Sequence, residues 1–279
     1  MNDDVRQSIA LVACNRPDSL RRCLESLRAQ GEQPHEVIVS DDSDDEFATE
    51  TRRVAGEYDC RWIAGPRRGL YANRNFAALQ CAGTHIRTMD DDHTFPPGHF
   101  AQCSAAVRSD PEAVWTTGEI GFIDGKFHDK AETAAQLHPA GVAGPVGDPD
   151  NNWAIADGST IYPAKVFKSG LRMVEDFGFG SSYLEFGAFL YRHGFRSRCV
   201  RGAIVEHHAE ISTLMRDNPE SRLFASLCYN LFFQPDLLRA TRYTISCVGK
   251  NFSMAAKLPG LLRRSRLRWE KVERPMAAS

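Results

Sequence analysis

His85-Ile86-Arg87-Thr88-Met89-Asp90-Asp91-Asp92 reads as a short buried strand that runs straight into three carboxylates. It is too short for a helix and follows a turn signal at Ala82-Gly83, so a strand is the economical reading. The chain before it repeats the same alternation. Short apolar runs at 8–14, 36–40 and 60–64 are separated by helix-like segments at 18–30, 45–58 and 70–81. The first of these segments opens on Asp18 as a cap and places Leu20, Cys23, Leu24 and Leu27 on one helical face. Three βα units in succession predict an α/β fold, a mainly parallel sheet flanked by helices.

Acids gather where the predicted strands end. Asp41-Asp42 follows Val37-Ile38-Val39, and the triplet follows Met89. Open α/β sheets bind ligands at the carboxyl ends of their strands, so both clusters are expected to face one crevice. Three neighbouring carboxylates repel one another unless a cation neutralises them. A hard divalent ion, Mn2+ or Mg2+, bridging to a diphosphate is one solution; a solvated turn with helix-capping acids is the other.

The 279 residues allow one large domain or a domain with a helical extension. A formal charge of -2 gives no global attraction to nucleic acid or anionic lipid, so either partner requires a local patch. Eight cysteines are dispersed without a CxxC pair, which suggests reduced thiols and a cytoplasmic setting. The N-terminus starts acidic at Asn2-Asp3-Asp4, and no run approaches the roughly 18 apolar residues that a membrane span needs.

Beyond the triplet, Pro96-Pro97 is expected to open a helix to about 107, and a strand over 113–123 ends at the hairpin signal Asp124-Gly125. Residues 126–152 lack periodicity and read as a long flexible loop, either a lid or a disordered insertion. Strands over 154–162 and 196–206 bracket a helix over 182–192. The region 219–257 is helical in pattern, with a break at Pro235, and a basic tail follows Pro259. The expected division is 1–215 as the main domain, with functional halves at about 8–118 and 153–215, and 216–279 as a helical C-terminal extension.

Several of these features, in order, resemble family 2 glycosyltransferases of the GT-A fold. They are Cys14-Asn15-Arg16-Pro17 with the helix behind it; Glu36-Val37-Ile38-Val39-Ser40-Asp41-Asp42; Gly65-Pro66; Gly69; Ala72 with Arg74-Asn75; Ala82-Gly83; and Met89-Asp90-Asp91-Asp92. The resemblance implies a Rossmann-like GT-A domain, a nucleotide-sugar donor with UDP as the default, an acceptor hydroxyl and transfer with inversion. It places Val12, Cys14, Asn15 and Asp42 around the nucleotide. Arg74, Asp90 and Asp91 fall beside the donor, and Asp92 and Asp90 on the metal. Arg67 and Arg68 are weaker phosphate candidates.

In the second half, Asp157-Gly158-Ser159, followed by Tyr162-Pro163, resembles the acceptor-lining strand, with Gly158 and Ser159 at the acceptor. Glu185 falls at the position of the catalytic base, although Phe186 stands where a second acid is usual; Glu175 and Asp176 are the fallback. His207, in Ile204-Val205-Glu206-His207-His208, falls where a late histidine completes the metal site or donates to the diphosphate. A nucleotidyl transferase lacks support, because no glycine-rich phosphate loop follows the first strand. A non-catalytic nucleotide-sugar-binding or membrane-surface assembly module on the same fold is the alternative. The stretch 257–274 is expected to form a basic amphipathic helix, lying on a membrane or packed on the domain.

Overall fold

The computed structural model describes residues 5–210 and 218–270. The three βα units form as β1 (Gln7–Ala13), α1 (Pro17–Arg28), β2 (Glu36–Asp41), α2 (Asp45–Glu57), β3 (Arg61–Ala64) and α3 (Leu70–Leu79), followed by β4 (His85–Asp90). Helix α1 starts one residue earlier than its cap signal implies. Pro17 occupies the first turn, where its missing N–H costs nothing, and Asp18 lies inside that turn. Leu20, Cys23, Leu24 and Leu27 are its buried face.

β4 pairs in parallel with β1, β1 with β2 and β2 with β3, giving the order β3-β2-β1-β4. The strand order reverses between β1 and β4. The carboxyl ends of these two strands therefore border the crevice in which open sheets bind ligands.

The sheet continues as β10, β6, β11 and β5, with β7 on the side of β6. These are β5 (His93–Thr94), β6 (Val114–Ile123), β7 (Lys126–Ala131), β10 (Ile161–Pro163) and β11 (Ser197–Ala209). β10 is antiparallel to both neighbours, whereas β6 and β11 run in parallel with a bulge between Cys199 and Ile204, so the sheet is mixed. Helix α4 (His99–Ser109) begins after Gly98, two residues later than Pro96-Pro97 suggests. Helices α5 (Lys165–Lys168) and α6 (Ser182–Arg192) follow β10.

Two sequence expectations need correction here. Residues 126–152 are not a structureless loop. β7 pairs with β6 across the Asp124-Gly125 turn, both of whose residues have positive φ, and β8 (Gln136–Leu137) pairs with β9 (Ala143–Gly144). Only residues 161 and 162 of the expected 154–162 strand are extended in the sheet, in a strand that runs on to Pro163; the preceding loop is held by Thr160, which donates to Ala156 O (2.8 Å) and accepts from Ala156 N (2.9 Å).

The C-terminal region folds as α7 (Pro219–Cys228), a π-helical turn (Tyr229–Phe233), α8 (Leu237–Lys250) and α9 (Met254–Trp269). Leu223, Phe224, Phe233, Leu261 and Trp269 share one core cluster with Leu184, Phe186 and Tyr162, so these helices are packed into the main body. The expected division at 215/216 lies outside the described residues, as do 1–4 and 271–274. No described helix is long and apolar enough to cross a membrane.

Candidate active site

The ends of β1 and β2 bring Cys14, Asn15 and Asp42 together. Asn15 adopts φ 58°, a conformation asparagine tolerates, and exchanges two hydrogen bonds with Asp44: Oδ1 accepts from Asp44 N and Nδ2 donates to Asp44 Oδ2, both at 2.8 Å. Its own N–H donates to Ser43 Oγ at 2.7 Å. Asp42 Oδ1 accepts from Arg67 N at 2.8 Å, and a Cβ on Gly65 would stand 2.2 Å from that oxygen. Burial raises the Asp42 pKa against the pull of that N–H. Cys14 is exposed at this edge, while the Val12 side chain is buried in the core, leaving only its backbone for a ligand.

The three triplet acids have three different environments. Asp90 is chelated by Arg74, whose Nε and Nη2 donate to its two oxygens at 3.1 and 2.5 Å. Arg74 is itself almost wholly buried, and its remaining nitrogen Nη1 donates to Asp157. Asp91 points inward, is fully buried and is salt-bridged to Arg16. Burial drives its pKa well up and Arg16 opposes that. Asp92 takes Arg16 Nη1 on Oδ2 at 2.8 Å, while its Oδ1 is buried without a hydrogen-bond partner. Although burial opposes ionisation, His207, His93 and Arg16 hold Asp92 far below the usual carboxylate range.

Around Asp92 the chain collects imidazoles. Asp92, His93 and His207 each offer a ligand atom, all within 4.8 Å of one another. β5 is antiparallel to β11 with His93 opposite His207, and the two rings stack with centroids 4.8 Å apart. Both ring nitrogens of His93 are buried and unpartnered, so that side chain carries unmet coordinating capacity. His207 Nε2 lies 3.7 Å from Asp92 Oδ2 and its Nδ1 3.0 Å from Glu119 Oε1. Burial favours neutral His207, but the two carboxylates outweigh it and raise its pKa to about 11. A carboxylate behind a histidine is the usual arrangement that orients a metal-ligating ring. The orphaned Asp92 Oδ1 and His93 nitrogens fit a divalent cation.

Gly158 closes the site from above. A Cβ there would stand 2.7 Å from Asp90 Oδ2 and 2.8 Å from His93 Cε1, and its φ of +78° also requires glycine.

The glycosyl transferase family 2 model matches residues 8–171, more than half of the chain. The chain belongs to glycosyl transferase family 2. Its fold is that of GT-A glycosyltransferases. It superposes on GalNAc-T7 in complex with UDP, GalNAc and Mn2+ with a TM-score of 0.67 and 13% identity, covering 88% of this chain but 55% of that one. It also superposes on S. aureus TarS 1–349 in complex with UDP-GlcNAc, with a TM-score of 0.63, 13% identity and coverage of 95% and 78%. At these identities the likeness shows the fold, and the chain spans about half the length of GalNAc-T7. No curated protein matches the chain by sequence.

Four site expectations of this family 2 chain change. Glu185 is fully buried and accepts from Trp269 Nε1 at 2.8 Å and Arg268 Nε at 3.2 Å. Both of its oxygens are thus engaged by the C-terminal helix, Arg268 Nη2 reaching Oε2 at 3.3 Å. Asp91 is withdrawn from the donor by burial and Arg16. Asp90 has both oxygens committed to Arg74 and falls outside the metal cluster. Ser159 is 1% exposed and meets Thr117 inside the protein, so only the Gly158 backbone faces the crevice.

The fallback Glu175 is tied to Arg68 and Asn75. Arg67 reaches Asp45 and Ser43 O. Sequence reasoning gave no role to Arg16, His93 and Glu119, and placed Asp157 only in the acceptor-lining stretch. Two carried a signal: Arg16 stands inside the Cys14-Asn15-Arg16-Pro17 motif, and His93 directly follows the triplet.

Proposed function

We propose that the chain is a glycosyltransferase that moves a sugar from a nucleotide-sugar, with UDP as carrier, to an acceptor hydroxyl with inversion. Asp92, His93 and His207 would hold a divalent cation. The observation that carries this reading is the unpartnered Asp92 Oδ1 beside two imidazoles at the carboxyl end of β4, where the strand order reverses. Two nitrogen donors favour a transition-series ion such as Mn2+ over Mg2+. The GT-A neighbours, whose crystals hold UDP, UDP-GlcNAc or Mn2+, support it.

A bound cation supplies neutralisation of the charge that develops on the departing diphosphate. The remaining work falls to the chain's own groups. Asp42 offers an acceptor oxygen for the nucleobase N–H at the β2 edge. Arg74 holds Asp90 toward the donor and adds positive charge behind it. Asp157 takes the base role assigned from the sequence to Glu185. Its side chain is 38% exposed, it lies over the same crevice, and burial and Asp90 raise its pKa against Arg74, toward the range in which a carboxylate accepts a proton effectively.

The test is turnover of a panel of sugar nucleotides with Mn2+. Slow hydrolysis of one donor, abolished by Asp92→Ala, is the expected result. No turnover of any donor, with no change in nucleotide binding for Asp92→Ala, contradicts it.

A further inference from the structure

Helix α8 and the turn after it present an apolar line to solvent. Leu238 is 86% exposed, Ile245 66% and Phe252 85%. A spacing of seven residues places Leu238 and Ile245 along one side of the helix, Phe252 is exposed in the turn that follows it, and Leu237, 75% exposed, stands at its start. Only Ala240 of α8 is buried, so the helix lies on the body by a narrow contact and turns its larger side chains outward. Large apolar groups so exposed and so aligned mark a surface that is covered in use.

The charge around this line is mainly positive, with Asp236 capping the helix at its start. Between Leu237 and Trp269 there are eight lysines and arginines and no aspartate or glutamate, although the whole chain has an acidic excess. Arg242 and Lys250 flank the apolar line on α8, and Arg263 follows on α9; none of the three meets an acid among the described residues. An acidic peptide would satisfy the cations but leave Leu238, Ile245 and Phe252 in water. A helix with a row of large apolar side chains flanked by unpaired cations matches the headgroup and acyl boundary of an anionic bilayer.

We propose that the outer face of α8, with Leu238, Ile245 and Phe252 inserted and Arg242 and Lys250 at headgroup level, docks the protein on an anionic lipid surface. The site differs from the 257–274 segment that the sequence suggests. Much of the apolar side of α9 is spent inward, with Met254, Leu261 and Trp269 buried in the core and Arg268 stacked 3.6 Å from the Phe189 ring, although Leu262 and Leu267 stay exposed.

Flotation of the full chain tests this, using vesicles of phosphatidylcholine alone and with about a third phosphatidylglycerol. The protein is expected to float with the anionic vesicles only, and to lose binding as NaCl rises from about 0.1 to 0.5 M. L238S/I245S/F252S should stay with the soluble fraction while its circular dichroism and Tm match wild type, and R242E/K250E should do the same. Wild type that fails to float, or a triple variant that floats equally well, overturns the proposal. So does a concentration-dependent dimer in sedimentation that the triple variant abolishes while neither form binds vesicles, because the occupant is then a second copy.

Discussion

Asp91 and Asp92 are adjacent, both buried, and share one guanidinium, that of Arg16. Two buried carboxylates are tolerable only when opposite charge or a proton compensates them. The chain supplies Arg16 for the pair, Arg74 for Asp90 and a protonated His207 for the remainder of Asp92. The triplet is therefore neutralised from within, and a cation has to displace part of that arrangement. His207 ionises at about 11 here, above its ordinary value near 6.5. Its charge contributes stability that is complete below about 6.5 and disappears as pH rises through about 11. Metal ligation needs the neutral ring, so binding releases about one proton across that window. Calorimetry in buffers of different ionisation enthalpy should show that release, with Mn2+ affinity rising about tenfold per pH unit from 6.5 to 9. Affinity independent of pH would remove His207 from the ligand set.

The two carboxylates with rival claims to the base separate cleanly. Glu185→Gln should lower stability by about 3 kcal/mol, since it breaks a buried pair, and leave kcat within about threefold. Asp157→Asn should lower kcat by about a hundredfold or more and leave UDP affinity nearly unchanged. Urea unfolding and steady-state kinetics on the two variants decide between them. At this scale Asp92, Asp42 and His207 were legible because each sits at the end of a strand run. Arg16 and Glu119 were not, because their partners lie 75 or more residues away in sequence and meet only through the sheet.

At the scale of elements, the loop before β10 sets the roof of the site. Gly158→Ala places a methyl group against Asp90 and His93 at a positive φ that costs about 1–3 kcal/mol. Mn2+ affinity should fall about tenfold and stability by about 1–3 kcal/mol, measurable by titration and urea unfolding of the variant. An unchanged affinity would mean that the loop opens freely. The first three βα units were readable because short apolar strand runs alternate with helix-like segments, the first of which carries a 3.6-residue apolar period. The strands within 126–152 were not. β7 is exposed at all six positions and so has no alternation, and β8 and β9 have two residues each. Helix α9 was expected from 257 onward but begins at Met254, with Pro259 inside its first turns and a face of Leu261, Ser265 and Trp269 anchored by core packing.

On the scale of the molecule, the strand order β3-β2-β1-β4 and its continuation through β10, β6 and β11 bring the two halves of the chain to one crevice. Asp92 comes from the first half and His207 from the second. Their meeting, 115 positions apart in the chain, is what makes a cation site of two motifs that are separately unremarkable. Fold and family were visible in the order of motifs, whereas the distribution of charge among the triplet acids depended on which face of the sheet each one met. The most direct test of the account is a Mn2+ titration followed by electron paramagnetic resonance, with and without UDP, on wild type, Asp92→Ala and His207→Ala. One site per chain, tightened by UDP and lost in both variants, is the predicted result; Mn2+ binding of equal strength in wild type and both variants would contradict it.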